Sequence, residues 1–309
     1  MSGRFAPSPT GDLHLGNLRT ALAAWLAARS TGHGFIVRME DLDRATSSSE
    51  HEARQLADLA ALGIDWDGPV VRQSERFDLY QAAIARLRGE GLVYPCYCTR
   101  REIRTEIEQA PQAPHVHLPD GAYPGTCRDL SDAERAARER AGRRPALRLR
   151  TNGEVIALRD GIAGPFAGAV DDVVLARGDG VPAYNLAVVV DDADQGVTQV
   201  VRGDDLLSST PRQVHLQRQL GLPHPEYLHV PLVLGEDEQR LAKRHGAVTL
   251  AELAAVGWSA GEVLAVLAAS LGIGHRGESV TIDQLVDRFD PECVPRTAVH
   301  LADLQRSTP

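Results

Sequence analysis

"RFAPSPTGDLHLGNLRTAL", residues 4–22, is the segment that says most about the fold, because it joins a short strand to a helix through a tight turn. A strand fits residues 2–6, and two prolines and two glycines follow it before the helix begins. Apolar residues then recur at helical spacing over 18–26, and Gly32 marks the end of the helix. The sequence therefore predicts a strand–turn–helix unit at the start of an α/β domain.

The turn is a candidate phosphate site. Backbone N–H groups at the start of a helix lack partners within the helix, and with the helix dipole they attract phosphate. Gly11 and Gly16 allow close backbone approach, and His14 can donate a hydrogen bond to a phosphate oxygen. A Gly/Pro turn with a surface histidine explains the same residues without a ligand, and "HLGN" at 14–17 alone favours this simpler interpretation.

Composition bounds the class of protein. The chain has 309 residues, of which 43% are hydrophobic and 24% charged, as in ordinary globular proteins of about two domains. The net charge of -9 means that any contact with nucleic acid must be local. The polar N-terminus and the short apolar runs predict a cytoplasmic protein without membrane contact. Four cysteines in this length do not suggest a disulfide framework.

The first ninety residues alternate strands and helices. "FIVRM", 35–39, is typical of a buried strand, and Ser49 with Glu52 predicts a capped helix that ends near Gly63. Another helix is expected over 74–88. This alternation predicts a parallel sheet.

After residue 93 the pattern changes, and cysteines, histidines and prolines appear. Strand-like runs follow at 146–150 and 172–177, and the α/β pattern resumes at 185–203. From Thr249 onward the pattern is helical. We therefore expect a nucleotide-binding type of fold that is interrupted by an inserted domain and ends in a small helical region.

A second phosphate candidate is "RLAKRHG", residues 240–246, which we call the lysine loop. Lys243 could neutralise a leaving pyrophosphate, since nucleotidyl transfer is catalysed mostly by positioning and by charge stabilisation. A solvated surface run explains this loop equally simply when it is taken alone. The loop becomes a stronger phosphate candidate when it is paired with the turn that carries His14, residues 7–14, which we call the histidine turn.

Several segments, taken together, resemble a class I aminoacyl-tRNA synthetase of the glutamyl type. "HLGN" stands in the place of the HIGH signature, "RLAKR" resembles the KMSKS signature, and "APSP" at 6–9 favours glutamate over glutamine. Further glutamyl-like blocks occur in family order, at 38–44, 183–192 and 200–213. The resemblance extends from residue 3 to about 246. The sequence departs from these signatures at two positions. Asn17 stands at the fourth position of HIGH, and Ala242 replaces the serine of KMSKS.

The resemblance implies a Rossmann-type nucleotide-binding parallel sheet, an inserted zinc-bearing domain and a small C-terminal helical region. The implied divisions are a first half of the catalytic domain at 1–93, the insert at 94–183, the second half with the lysine loop at 184–246, and a truncated helical stem at 247–309.

Only some sixty residues follow the lysine loop, which is typical of the shortened, glutamyl-Q branch of this family. That branch implies activation of L-glutamate with ATP and magnesium in the absence of tRNA, followed by transfer to queuosine at the wobble position of tRNA(Asp). Two alternatives stay open. One is a truncated or discriminating glutamyl-tRNA synthetase that charges tRNA(Glu), and the other is a non-catalytic RNA-binding protein that kept the scaffold.

The resemblance also implies site residues. His14 and Lys243 would stabilise charge during catalysis, and with Gly16 they would bind ATP. The residues implied for glutamate are Arg4, Ser8, Glu40, Tyr184 and Arg202. This set suits the substrate, since arginine grips a carboxylate with two hydrogen bonds and a carboxylate can hold the ammonium group.

Three cysteines cluster at Cys96, Cys98 and Cys127, and three thiolates with one more donor make a closed zinc site. The resemblance places Tyr123 as the fourth ligand of one structural zinc ion. His115 and His117 are the commoner type of ligand and stay open as alternatives. Three reduced structural cysteines would also explain the cluster. Cys293 stands apart and is expected to be a core residue.

Arginines are concentrated in the insert. They could contact RNA phosphates, or they could form a solvated helix face, and the sequence does not decide between these interpretations. The arginines concerned are Arg100, Arg101, Arg104, Arg135, Arg138, Arg143, Arg144, Arg148 and Arg150.

Overall fold

The computed structural model describes residues 1–109, 122–241 and 248–305. The strands, in chain order, are β1 (Ser2–Phe5), β2 (Gly34–Met39), β3 (Val71–Arg72), β4 (Val93–Cys96), β5 (Ala146–Leu149), β6 (Val155–Asp160), β7 (Gly164–Ala169), β8 (Val174–Ala176), β9 (Val197–Gly203), β10 (Glu226–Val230), β11 (Val233–Leu234) and β12 (Val299–His300). The helices are α1 (Leu15–Ser30), α2 (Ser49–Ala61), α3 (Phe77–Gly89), α4 (Arg100–Gln109), α5 (Asp132–Arg140), α6 (Tyr184–Asp194), α7 (Thr210–Leu220), α8 (Leu250–Ala255), α9 (Ala260–Ser270), α10 (Ile282–Val286) and α11 (Leu301–Gln305).

The main sheet has five parallel strands in the order β10-β9-β1-β2-β3. The chain builds outward from β1 to β3, leaves the sheet, and returns on the other side of β1 with β9 and β10. The strand order therefore reverses between β1 and β9, and in open α/β sheets ligands bind beyond the carboxyl ends of the strands at such a point. The predicted parallel α/β fold is confirmed.

Helix α1 packs against this sheet and forms the centre of the main core. Leu18, Leu22 and Leu26 are fully buried, and such burial contributes about 1.5–3 kcal/mol for each side chain. Alanines fill much of the remaining helix surface, so that the helix approaches the sheet closely. A Cβ on Gly3 would lie 2.8 Å from the Ala28 Cβ, which explains the glycine in β1. The strand–turn–helix prediction for the first residues is thus confirmed.

Residues 93–176 contain a second sheet, in which β5 pairs antiparallel with β4 and β8. A separate hairpin, β6–β7, follows within the same part of the chain. Its turn reaches the main sheet, since the Gly161 N–H bonds to the carbonyl of Tyr227, a residue of β10. The insert therefore contacts the parallel sheet through this hairpin.

Two local predictions need adjustment. The side chain of Ser48, rather than that of Ser49, accepts the capping hydrogen bond of α2, from the Glu50 N–H. The segment at 185–192 lies within α6, so the chain re-enters the α/β core with a helix before β9. The helices that follow Thr249 are α8 to α11, as predicted. Among the helices of the described residues, none has the length and apolar character needed to cross a membrane.

Candidate active-site cleft

Charged side chains gather at the carboxyl edge of the parallel sheet. Arg4 lies near the end of β1, Glu40 directly follows β2, and Arg202 is the penultimate residue of β9. These three strands are parallel, so their carboxyl ends lie at the same edge. The amino end of α1 follows the turn after β1 at this edge as well. Residues that are far apart in sequence therefore share one crevice.

A cleft of about 880 Å³ opens at this edge, and we call it the polar cleft. Ser8, Glu40 and Tyr184 line it. Arg4 and Arg202 are buried beside them, with 3% and 5% of their surface exposed, and the Arg202 Nη1 lies 3.4 Å from the Tyr184 hydroxyl oxygen. The structure thus brings together the five residues that the sequence singled out for an amino acid.

Three buried charged residues, Arg38, Asp191 and Asp192, lie next to these five residues. Sequence analysis did not single them out. Arg38 is fully buried, and its Nη2 lies 2.8 Å from the Asp192 Oδ1. The Arg4 Nε lies 3.5 Å from the same oxygen, so Asp192 links the two arginines. Asp191 accepts hydrogen bonds from Gln73, Tyr80 and Arg76. The signal was the presence of charges inside the apolar segments 35–39 and 185–192.

The carboxyl group of Glu40 is buried in surroundings that disfavour its ionised form. Burial raises the pKa of its carboxyl to about 7, although Arg38 and Arg4 oppose this shift. The Arg38 Nη2 is 3.7 Å from the Glu40 carboxylate, which is too long for a direct hydrogen bond. A bound ammonium group would supply the close partner that this carboxylate needs.

His14 is the N-cap of α1. The His14 Nδ1 accepts a hydrogen bond from the backbone N–H of Asn17 at 3.2 Å. The backbone N–H of His14 in turn donates to the Asn17 Oδ1, also at 3.2 Å. Because Nδ1 accepts, the proton of the neutral ring is on Nε2. Burial, followed by the charge of Arg240, lowers the pKa of His14 to about 4. His14 is therefore a neutral imidazole whose Nε2–H is available as a donor at neutral pH, and Asn17 is its positioning partner.

Gly16 is required by the histidine ring. A Cβ at this position would lie 3.0 Å from the His14 Cε1 and 3.1 Å from the His14 Nδ1. It would also contact the Val233 Cβ at 3.6 Å. Gly11, in contrast, has open space around it. The glycine at 16 therefore leaves room for His14 to cap the helix.

Lys243 and Ala242 of the lysine loop lie outside the described residues. The residues on both sides are held near the start of α1. The Leu241 N–H bonds to the Val233 carbonyl at 3.3 Å, and the Leu15 N–H bonds to the Val248 carbonyl at 2.8 Å. The described residues that flank this part of the chain, Leu241 and Val248, are thus held close to the start of α1.

Cys96, Cys98 and Cys127 form a second cluster, in which the three sulfur atoms lie within 4.8 Å of one another. The Cys98 Sγ is 3.4 Å from the Cys127 Sγ and 3.7 Å from the Tyr123 hydroxyl oxygen. Zinc–sulfur bonds of about 2.3 Å place the sulfurs of a tetrahedral site roughly 3.8 Å apart. The cluster therefore fits a metal ion of this type, while His115 and His117 lie outside the described residues.

The cysteine cluster is joined to the polar cleft. Cys98 and Arg100 line the same cleft as Glu40. The Tyr123 N–H donates to the Asp171 Oδ2 at 2.7 Å, and Asp171 also pairs with Arg212 of α7 at 2.5 Å. Sequence analysis missed Asp171 and Arg212, because no local pattern connects residues from the insert to a helix of the main domain.

Several arginines of the insert make contacts within the protein, Arg148 in the interior and Arg143 and Arg150 at the surface. Arg148 is buried, donates to the Asp172 carbonyl at 2.7 Å, and lies 3.7 Å from the centre of the Tyr123 ring. Arg143 pairs with Glu102, and Arg150 pairs with Asp129. These contacts correct the interpretation of Arg148 as a surface phosphate contact. The cause is that an arginine with a buried partner has the same sequence signature as an exposed one.

The expectation for Cys293 is wrong. Its side chain is exposed, within the short turn at 291–293. The neighbouring Val294 is buried instead, so the segment turns its aliphatic residue inward.

Comparisons with known proteins agree with this arrangement. The family model "tRNA synthetases class I (E and Q), catalytic domain" matches residues 1–289. The chain is 60% identical over 302 residues to the glutamyl-Q tRNA(Asp) synthetase of Nocardia farcinica, covering 98% of this chain and 93% of the relative. It is 51% identical to the protein of the same name from Symbiobacterium thermophilum, covering 97% of this chain and 96% of the relative.

A solved structure is also similar. It is a glutamate tRNA ligase from Elizabethkingia meningosepticum in complex with its amino acid, with a TM-score of 0.81 and 28% identity. The match covers 97% of this chain and 66% of the solved chain, so this chain spans about two thirds of that protein's length. On the family model and these relatives, the chain belongs to the class I tRNA synthetases of the E and Q type and is a tRNA synthetase-like ligase.

Proposed function

We propose that this protein activates L-glutamate with ATP in the absence of tRNA and then transfers the glutamate to queuosine at the wobble position of tRNA(Asp). The observation that carries the proposal is the meeting of Arg4, Arg202 and Glu40 at one edge of the sheet, beside the helix start that carries His14. The relatives named glutamyl-Q tRNA(Asp) synthetase support the second step, because they match nearly the whole chain.

The polar cleft suits an amino acid with two carboxylates. Arg202 and Arg4 would bind the carboxylates, since a hydrogen bond from a guanidinium to a carboxylate is strengthened by both charges. Glu40 would hold the ammonium group, and Ser8 and Tyr184 would add hydrogen bonds from the wall of the cleft. A neutral side chain in place of the second carboxylate would leave a buried cation unpaired, which explains selectivity for glutamate.

ATP would bind at the start of α1. The His14 Nε2–H would donate to a phosphate oxygen, and the positive end of the α1 dipole would favour the negative charge of the phosphate. Lys243 would neutralise the leaving pyrophosphate, and Gly16 would keep the histidine in place. Magnesium would arrive with ATP, because it bridges phosphate oxygens.

The proposed chemistry has two steps. A carboxylate oxygen of glutamate attacks the α-phosphorus of ATP, the bond to the β-phosphate oxygen breaks, and pyrophosphate leaves. A hydroxyl of the cyclopentene-diol of queuosine then attacks the carbonyl carbon of the adenylate, loses its proton, and AMP leaves. The protein contributes mainly orientation and charge stabilisation in both steps.

We also propose one structural zinc ion, bound by Cys96, Cys98, Cys127 and Tyr123. The spacing of the three sulfurs and the position of the Tyr123 oxygen support this ligand set. His115 and His117 remain the alternatives to Tyr123. When bound, the ion would join the two ends of a segment that has only a small core around these residues. The separate sheet of β4, β5 and β8 supports an inserted domain over 94–183.

The tRNA would approach from the side of the insert. The polar cleft continues from Glu40 and Tyr184 to Cys98 and Arg100, which leaves room for a nucleoside beyond the amino acid. The exposed Arg100, Arg101 and Arg104 of α4 are candidates for contacts with phosphates. Such contacts would make the affinity for tRNA fall as salt increases.

A comparison of three RNAs tests the proposal. ATP–pyrophosphate exchange is measured first, with L-glutamate and without tRNA. Labelled glutamate is then offered with queuosine-containing tRNA(Asp), queuosine-free tRNA(Asp) and tRNA(Glu). We expect exchange without tRNA and transfer to the queuosine-containing RNA alone.

Two outcomes would contradict the proposal. Charging of tRNA(Glu) would support a glutamyl-tRNA synthetase instead, a candidate that the structural match to a glutamate tRNA ligase favours. Absence of exchange at saturating glutamate would support a non-catalytic RNA-binding protein.

A further inference from the structure

The guanidinium of Arg202 is held from behind by three buried side chains. Its Nε donates to the His229 Nε2 at 3.0 Å, its Nη1 to the Gln213 Oε1 at 2.8 Å, and its Nη2 to the Thr210 Oγ1 at 2.9 Å. Arg202 and His229 are paired in register on the parallel strands β9 and β10. Their side chains therefore lie on the same face of the sheet, and the contact follows from the register.

The contact with Arg202 determines the protonation of His229. An arginine Nε–H can only donate, so the His229 Nε2 must accept and the ring proton must be on Nδ1. Nδ1 lies 2.5 Å from the Asp160 Oδ2, to which it donates, and both side chains are fully buried. Burial lowers the pKa of His229, followed by the opposing effect of Asp160, which is consistent with a neutral ring.

Asp160 is itself fixed by the turn of the β6–β7 hairpin. Its Oδ1 accepts from three backbone N–H groups, those of Ile162 at 2.9 Å, Ala163 at 2.8 Å and His229 at 3.1 Å. The second oxygen, Oδ2, is thereby directed at the histidine ring. Asp160, a residue of the insert, is thus connected to Arg202 by hydrogen bonds through His229.

We propose that Asp160 and His229 are positioning residues, which hold the Arg202 guanidinium in one orientation and so set the affinity of the cleft for the carboxylate of the amino acid. The inference rests on the proposed role of Arg202 in glutamate binding. Nη1 also lies 3.4 Å from the Tyr184 hydroxyl oxygen, so the contacts named here leave the second N–H of Nη2 for the ligand, beside that hydroxyl in the wall of the cleft. A pre-oriented guanidinium loses less conformational entropy when it binds.

Two substitutions of His229 separate positioning from packing. Asn carries its amide nitrogen as many bonds from Cα as Nδ1, so H229N keeps a donor to Asp160 and loses the acceptor for Arg202. Gln carries its amide oxygen as many bonds from Cα as Nε2, so H229Q keeps the acceptor for Arg202. Both variants remove the ring, so each serves as the control for the other.

We expect H229N to raise the KM for glutamate in ATP–pyrophosphate exchange by about tenfold or more, because a buried charged donor loses its partner. H229Q is expected to raise it by about threefold or less, with a KM for ATP and a thermal midpoint close to those of H229N. An equal rise in the KM for glutamate in both variants, or no rise in either, would overturn the proposal.

D160N provides a second test that does not depend on H229N folding well. The three backbone N–H groups keep the amide oxygen of Asn at the Oδ1 position, so the amide nitrogen faces Nδ1 of His229. The ring proton then moves to Nε2 and opposes the Arg202 N–H. Nitrogen NMR of the imidazole should report the Nδ1–H form in the wild type and the Nε2–H form in D160N, with a KM for glutamate raised as in H229N. An Nε2–H ring in the wild type would refute the inference.

The wild-type control separates the two proposals. Wild-type protein without glutamate-dependent exchange would refute the proposed function, and this inference with it. Active wild-type protein with variants that do not differ as described would refute only the positioning role.

Discussion

Glu40 is the residue at which the electrostatics of the cleft are most easily tested. Its carboxyl pKa is raised to about 7 by burial, from a usual value near 4.5. The ammonium group of glutamate would bind the ionised form, so protonation of Glu40 competes with binding. Lowering the pH through 7 therefore removes the binding-competent form, and raising it restores that form.

We predict that the KM for glutamate in ATP–pyrophosphate exchange rises by about tenfold per pH unit once the pH is below about 7, as expected for one required ionised group. The KM for ATP measured over the same range is the control. E40Q should bind glutamate weakly with a KM that no longer follows this titration. A KM for glutamate that is constant from pH 8 to 6 in the wild type would contradict the role of Glu40.

Arg202 allows a test of geometry at constant charge. R202A should reduce glutamate-dependent exchange by about 100-fold or more, since both the charge and the hydrogen bonds to a carboxylate are lost. R202K keeps the charge and loses the planar fork, so we expect a smaller but clear loss, of about tenfold or more. Exchange kinetics at several glutamate concentrations measure both variants. A near-normal rate for R202A would remove this residue from the site.

At the scale of elements, the start of α1 combines a structural and a chemical role. His14 caps the helix through its side chain, and Asn17 returns a hydrogen bond to the His14 N–H. This exchange orients the imidazole and leaves its Nε2–H as a donor. The sequence indicated the histidine and the helix start, but the reciprocal role of Asn17 required the geometry.

G16A tests whether the helix start serves the histidine. The added Cβ would lie 3.0 Å from the His14 ring, so the ring must move. We expect the kcat of exchange to fall by about tenfold, while the free energy of unfolding stays within about 1 kcal/mol, because alanine favours a helix. Exchange kinetics and urea denaturation measure the two effects.

The control for G16A is G89A, at the end of α3, where an added Cβ meets no atom within 4 Å. It should leave both activity and stability nearly unchanged. If G16A were as active as G89A, the close approach of Gly16 to His14 would have no functional role.

At the scale of the whole molecule, the cysteine cluster connects the insert to the active-site cleft. We predict that purified protein holds about one zinc ion per chain, and that C127S loses it together with several degrees of thermal stability. C293S is the matched control, because Cys293 is exposed and lies outside the cluster. Metal analysis and thermal unfolding report the two quantities. Clearly less than one equivalent in the wild type, without chelators, would reject the site.

Y123F then identifies the fourth ligand. It keeps the ring that packs under Arg148 and removes only the hydroxyl oxygen near the Cys98 sulfur. A loss of zinc affinity would support Tyr123 as a ligand, whereas unchanged affinity would exclude it in favour of His115 or His117.

The amino-acid sequence alone predicted the alternation of strands and helices in the first ninety residues, the histidine turn and the parallel α/β class. It could do so because helical spacing, strand length and turn residues act over a few neighbouring positions. The family blocks also named Arg4, Glu40 and Arg202, which then met at one edge of the sheet. The burial of Cys293 was predicted wrongly, since a lone cysteine carries no periodic signal.

How these elements act together became visible in the three-dimensional fold. The parallel register places His229 beside Arg202, and the hairpin turn of the insert brings in Asp160 from 69 positions earlier in the chain than His229. The salt bridge between Arg38 and Asp192 and the buried hydrogen bond from Arg148 to the Asp172 carbonyl also join residues that are distant in sequence. Such contacts depend on where distant strands and loops meet in space, and no local pattern of residues encodes that position.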